Sequence, residues 1–215
     1  MTVTVTTGLR ERKKAQTREA LRDAALELFH RQGFEQTTVE DIADACDVSP
    51  RTFFRYFPTK EDVLFGDGDE RCGRLLAAIE AEPPEVGPFA ALLAGSLAVA
   101  EDYGAERERL VLRRGVLAST EQLRASSAER QRGWEEAVVQ LLARRAEQQG
   151  AEPSEFELRL VAATALAALR VALDVWLASD EPGDFPAFVD AAFQRISGGF
   201  GPGARDPRPS TRSSR

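Results

Sequence analysis

The sequence predicts an all-α fold. Apolar residues recur three and four positions apart through most of the chain, the period of a helix with one buried face. No pair of alternating apolar segments joined by a tight turn makes a credible strand hairpin. The eleven prolines and sixteen glycines gather at a few places, which suits helices with sharp breaks between them. Hydrophobic residues make up 43% of the 215, enough for a sizeable core.

Residues 1–9 alternate as a strand would but have no partner, and are expected to form a flexible arm. From Arg10 to Gln32, Leu21, Ala25, Leu28 and Phe29 fall on one helical face. Gly33 supplies a left-handed stop, and Phe34 can fold back on the last turn. Thr37 and Thr38 each precede an acid (Glu40, Asp41) by three residues, the spacing of a capping box. The second helix that follows carries Val39, Ile42, Ala43 and Ala45 and breaks at Cys46-Asp47-Val48. Ser49 then Pro50 restart the chain: the serine accepts from free backbone N–H groups, and proline fits the first helical position. This third helix runs to about Tyr56, before Pro58, and Thr59 caps a fourth with Asp62. Beyond it Pro83-Pro84, Gly87-Pro88, Gly150 to Pro153 and Pro182-Gly183 separate further helices, giving about nine in all. The basic tail 201–215, poor in apolar residues, is expected to be disordered.

Charge is uneven along the chain. The net charge is −7, yet residues 1–60 hold ten bases against nine acids. Between Arg10 and Arg22 six bases face two acids, so the acidity lies in the C-terminal two-thirds and the N-terminal end is locally basic. The opening residues contain no apolar run of a secretory signal. The most apolar stretch, Leu160 to Leu169, stops at Arg170 and reads as a buried helix rather than a bilayer span. Cys46 and Cys72 read as two free thiols, and the chain as cytoplasmic with no membrane partner.

Two short helices joined by a three-residue turn have the dimensions of a helix-turn-helix, whose second helix enters the major groove. The segment TTVEDIADACDVSPRTFFRYFPTKEDVL, with LFHRQGF just before it, resembles the TetR-family signature across some fifty consecutive residues. The resemblance implies a DNA-binding domain over residues 10–58 and a helical ligand-binding and dimerisation domain over 59–200. It also implies roles for particular residues. Thr37 and Thr38 would hold a phosphate at the start of the second helix. Ser49, Pro50, Arg51, Thr52, Phe54 and Arg55 would present the recognition helix, with arginine able to pair with the O6 and N7 of guanine. Tyr56 and Lys60 would bind phosphates. Ile42, Ala43, Val48, Phe53 and Phe57 would fix the angle between helices. Three departures stand out: Phe54 replaces a frequent tyrosine, Asp47 the usual turn glycine, and Arg51 a frequent small residue.

The stretch from Phe156 to Leu177 is apolar almost all round. One stripe runs through Leu158, Val161, Ala162, Ala165, Leu169, Leu173 and Trp176; Leu160, Ala163, Ala167, Ala168, Val171 and Val175 lie on others. Such a helix must be covered on all sides. The resemblance implies that with the last helix (Phe185, Phe188, Val189, Ala192, Phe193, Ile196) it builds a homodimer through residues 154–200, with Leu169 expected at the seam. The dimer would read a near-palindromic operator in double-stranded DNA. The resemblance also implies a pocket for a small hydrophobic effector, for which the apolar stripes offer Phe89, Leu93, Leu97, Tyr103, Trp134 and Leu166 as lining. Arg170 and Asp174, four apart, read as an ion pair or as polar anchors for that ligand. No cofactor, metal or catalytic site is expected: His30 is the only histidine, and no Gly-rich phosphate loop follows a strand. The alternative to an effector-released repressor is a DNA-binding regulator or architectural protein without a ligand.

Overall fold

The computed structural model describes residues 8–66, 68–101, 103–180 and 183–199, and among them every regular element is helical. In chain order they are α1 (Leu9–Gln32), α2 (Val39–Asp44), α3 (Pro50–Tyr56), α4 (Asp62–Phe65), α5 (Gly68–Ala81) and α6 (Pro88–Ala100). A 3-10 turn at Gly104–Glu106 leads into α7 (Arg107–Ser119), α8 (Glu121–Gln148), α9 (Glu155–Ala178) and α10 (Phe185–Gly198). The expected arm over most of 1–9, the tail 201–215 and Pro182 lie outside the described residues.

The chain divides into two compact units. One comprises Met1–Gly68 with Glu108–Ala125, the other Asp69–Arg107 with Ser126–Arg215. The division expected at 58/59 therefore differs from the observed one. The four-residue α4 buries Val63, Leu64 and Phe65 in the N-terminal unit, and Val116 of α7 and Leu123 of α8 join them there.

The N-terminal unit forms around α1. Leu21, Ala25, Leu28 and Phe29 pack against Ile42, Phe53 and Phe57. Gly33 ends α1 at φ 92° with its N–H donated to Phe29 O, and the Phe34 ring returns to 4.9 Å from Phe29. Asp47 carries the turn between α2 and α3 at φ 52°, the left-handed conformation for which aspartate is one of the few tolerant side chains.

In the second unit α9 packs against α10 and α6, and α10 against α6. Leu158, Ala162, Ala165, Leu169, Ala172 and Trp176 of α9 are buried, one helical stripe, together with Phe185, Phe188, Val189 and Phe193 of α10. Gly95 of α6 lies so close to α5 that a Cβ there would stand 2.9 Å from Leu75 O. The end of α5 is closed by the buried Arg145, which donates to Ile79 O at 2.8 Å, Glu82 O at 2.9 Å and Pro83 O at 3.0 Å. A cation at the negative end of a helix dipole needs no carboxylate partner. Arg170 does not interrupt α9, because an exposed arginine is an ordinary helix residue. The helix is thus 24 residues long and apolar enough by length and composition to cross a membrane, although 44% of its most apolar window is buried inside the protein.

Candidate DNA-recognition site

The site is built from the two helices on either side of Asp47. Thr38 N-caps α2: its hydroxyl accepts from Asp41 N at 3.1 Å, while Asp41 Oδ2 accepts from Thr38 N at 2.9 Å. The Thr38 backbone N–H, and then its side chain, hold the Asp41 carboxyl below its ordinary pKa. Ser49 caps α3 in the same way, accepting from Thr52 N at 3.2 Å, with Pro50 in the first turn. The backbone fixed by these caps leaves Arg51, Phe54 and Arg55 exposed on α3, while Phe53, one position from Phe54, is fully buried. Phe54 is 53% exposed, a large apolar ring held out between two guanidinium groups in sequence. Arg55 lies 5.0 Å over the Tyr56 ring and reaches its hydroxyl at 3.4 Å, which orients both.

Two expected contacts are corrected. Thr37 is fully buried and donates its hydroxyl to Gly33 O at 2.8 Å, so it closes the α1–α2 connection and only Thr38 faces outward. Lys60 directs Nζ inward to Phe34 O at 2.7 Å, Thr37 O at 2.8 Å and Glu35 O at 3.4 Å. An ammonium has three donors, and all three are engaged.

Side chains that sequence reasoning missed hold this unit together. Arg109 of α7 grips α1 through a two-pronged contact to Asp23 and a third bond to Glu19, each at 2.6 Å. Arg113 donates to Leu64 O, and Arg18 to Gly66 O at 3.1 Å. Cys46 donates its thiol to Ala20 O at 3.4 Å. Burial pushes the Cys46 and Cys72 thiols up, away from the low pKa of a reactive cysteine.

The expected effector contacts separate. In the second unit a cleft of about 430 Å³ is lined by Asp69, Cys72, Gly73 and Leu76 of α5 and Arg130, Gly133 and Trp134 of α8. Of the six residues named from sequence only Trp134 is among them. Phe89 stacks 5.0 Å from Phe193, Tyr103 5.1 Å from Phe185, and Leu166 is buried. The α6 and α9 faces that carry Leu92, Leu166 and their neighbours are spent on packing against each other and α10.

A model of the bacterial regulatory proteins of the tetR family matches residues 21–65, and a model of the MftR C-terminal domain matches residues 86–201. The chain is also 30% identical over 189 residues to a protein named as a mycofactocin biosynthesis transcriptional regulator, MftR, of Mycobacterium tuberculosis, covering 88% of this chain and 93% of that one. The chain belongs to the TetR family. It is therefore a DNA-binding transcriptional regulator with a helix-turn-helix at α2–α3. The transcriptional regulator TcmR of Streptomyces glaucescens is 48% identical over 85 residues, a match spanning 40% of this chain and 38% of that protein. Among solved structures, the FadR repressor of Thermus thermophilus in complex with lauroyl-CoA is 26% identical, with a TM-score of 0.53 over 90% of this chain and 99% of that one.

Proposed function

We propose that this regulator is a repressor that reads its operator with Arg51 and Arg55 of α3, binds as a homodimer through α9, and leaves DNA when a small effector occupies the α5–α8 cleft. The observation that carries the DNA reading is the exposure of Arg51, Phe54 and Arg55 along one short helix whose start is fixed by Ser49 and whose back is anchored by Phe53. Arginine at that helix front can pair with guanine, while Thr38, Ser49, Thr52 and Tyr56 would bind phosphates.

For the dimer, α9 exposes Phe156 (72%), Leu160 (53%), Val171 (50%) and Val175 (43%). At about 100° per residue these four lie within an arc of about 100° opposite the buried stripe, an apolar face interrupted in the same arc by Thr164 and Asp174. An exposed patch of that length is the mark of an interface, and a two-fold partner supplies the same stripe. For the effector, the cleft volume falls in the range of small-molecule sites, with apolar Leu76 and Trp134 beside one carboxylate and one guanidinium. The lauroyl-CoA bound by the Thermus neighbour is the probe to try there: its acyl chain would meet Leu76 and Trp134 and its anionic groups Arg130, with Asp69 opposing them.

The test is selection of a preferred duplex from a randomised library, followed by Arg51→Ala. The variant should lose about 1–3 kcal/mol on the selected site and little on random DNA. An unchanged preference would remove Arg51 from base reading.

A further inference from the structure

The core of the N-terminal unit takes up α1 at Leu21, residues 17–19 are half-buried, and toward its N-terminus the helix runs on for about two more turns without cover. Residues 8–16 are all exposed. In this length stand Arg10, Arg12, Lys13 and Lys14 against the single acid Glu11. Arg10, Lys13 and Lys14 occupy an arc of about 100°, and Arg12 the opposite side.

As a merely solvated face this arrangement is poor. Cations at a helix N-terminus oppose the dipole. Like charges three and four positions apart, as Arg10 is from Lys13 and Lys14, repel. The Gly8 cap offers no side-chain hydrogen bond to compensate. Among the described residues none of the four bases takes part in an ion pair, whereas Arg18 and Arg22 further along α1 are both partnered. The stripe thus weakens its own helix and leaves its charge for something outside the chain.

Its position names the occupant. The Cys46 thiol on Ala20 O ties the turn before the recognition helix to α1, and the cap Ser49 follows three residues later. From Ala20 to Arg10 the helix extends about 15 Å, less than one turn of duplex. We propose that Arg10, Lys13 and Lys14 of α1 bind the phosphate backbone of duplex DNA flanking the operator half-site. The inference rests on the DNA-reading role of α3, and it adds a contact that recognises charge and backbone rather than sequence.

The experiment compares the full-length protein with an Arg10→Ala, Lys13→Ala, Lys14→Ala variant. The probes are the selected operator as a bare core duplex and the same core with about ten base pairs of random sequence on each side. Binding is titrated against salt. The wild type should bind the flanked duplex more tightly at low salt, with a slope steeper by about 2–3 per protomer, near 0.9 for each phosphate engaged. The variant should bind both duplexes equally and keep its preference for the operator over random DNA. Arg10→Lys with Lys13→Arg and Lys14→Arg should restore the flank effect, and melting of every variant at or above the wild-type temperature excludes unfolding. A wild type indifferent to the flanks, or an alanine variant that keeps their advantage, overturns the proposal. Loss of operator preference on both duplexes overturns the assignment of a flank-only contact.

Discussion

The ammonium of Lys60 donates to the carbonyl oxygen of Phe34 at 2.7 Å and lies 4.5 Å above the centre of its ring. The segment after the recognition helix is thereby tied to the loop that leads into α2, with Thr37 O as a further acceptor. Lys60→Ala leaves these carbonyls without their donor. It should lower unfolding stability by about 1–3 kcal/mol, read by urea denaturation. Because no Lys60 donor is left for a phosphate, the salt slope of DNA binding by the folded variant should stay the same. A stable variant with a slope reduced by about one would show that Lys60 reaches DNA after all.

The dimer prediction separates two neighbouring positions of α9. Leu169, expected at the seam from sequence, is only 7% exposed and faces the subunit's own core, whereas Val171 is 50% exposed. A buried charge at 169 should unfold the second unit. Val171→Glu should instead leave the helical signal and melting of the monomer nearly intact while dissociating the dimer and weakening operator binding. Sedimentation of both variants at micromolar concentration checks this, and a Val171→Glu protein that remains dimeric would remove the α9 stripe from the interface.

What was legible in the sequence was local. The Gly33–Phe34 stop, the Ser49-Pro50 start and the left-handed Asp47 each depend on backbone groups within four residues, so residue type and spacing were enough. Thr37 and Thr38 show where that ends. Both have an acid three residues on, and only the tertiary fold buries the first and caps with the second. Lys60 and Arg109 find partners 23 to 90 positions away, which no periodicity reveals. The cleft had one usable signal, a glycine inside each of two helices at 73 and 133, since glycine in a helix interior costs stability without a packing or spatial reason.

A pH dependence follows from the α2 cap. Asp41 is held below its ordinary pKa by Thr38 in the folded protein. A depressed folded pKa contributes stability that is complete above the unfolded value, about 4, and is lost as pH falls through the folded value. Wild type should therefore exceed Asp41→Ala in urea midpoint at pH 7, with the gap closing below about pH 4. A gap that persists at pH 2 would mean that the carboxylate charge contributes nothing to the cap.

Effector gating is tested best at the cleft glycines. Beyond its own stretch of helix backbone, a Cβ at Gly73 or Gly133 would meet no atom within 4 Å, so a side chain there enters open space, and both positions lie inside helices. Gly133→Leu should stabilise α8 by about 0.5–1 kcal/mol through helix propensity while filling the volume beside Trp134. In the wild type, lauroyl-CoA should change the fluorescence of Trp134, raise the melting temperature and lower operator affinity about five- to 150-fold. Operator should weaken lauroyl-CoA binding by the same factor, because coupling between two sites is reciprocal. Gly133→Leu should bind operator as the wild type does and respond to none of these additions. If lauroyl-CoA binds Gly133→Leu and wild type equally, the effector site lies outside this cleft. If it binds the wild type and operator affinity does not move, the ligand has no preference between the two conformers and cannot be the signal that releases DNA.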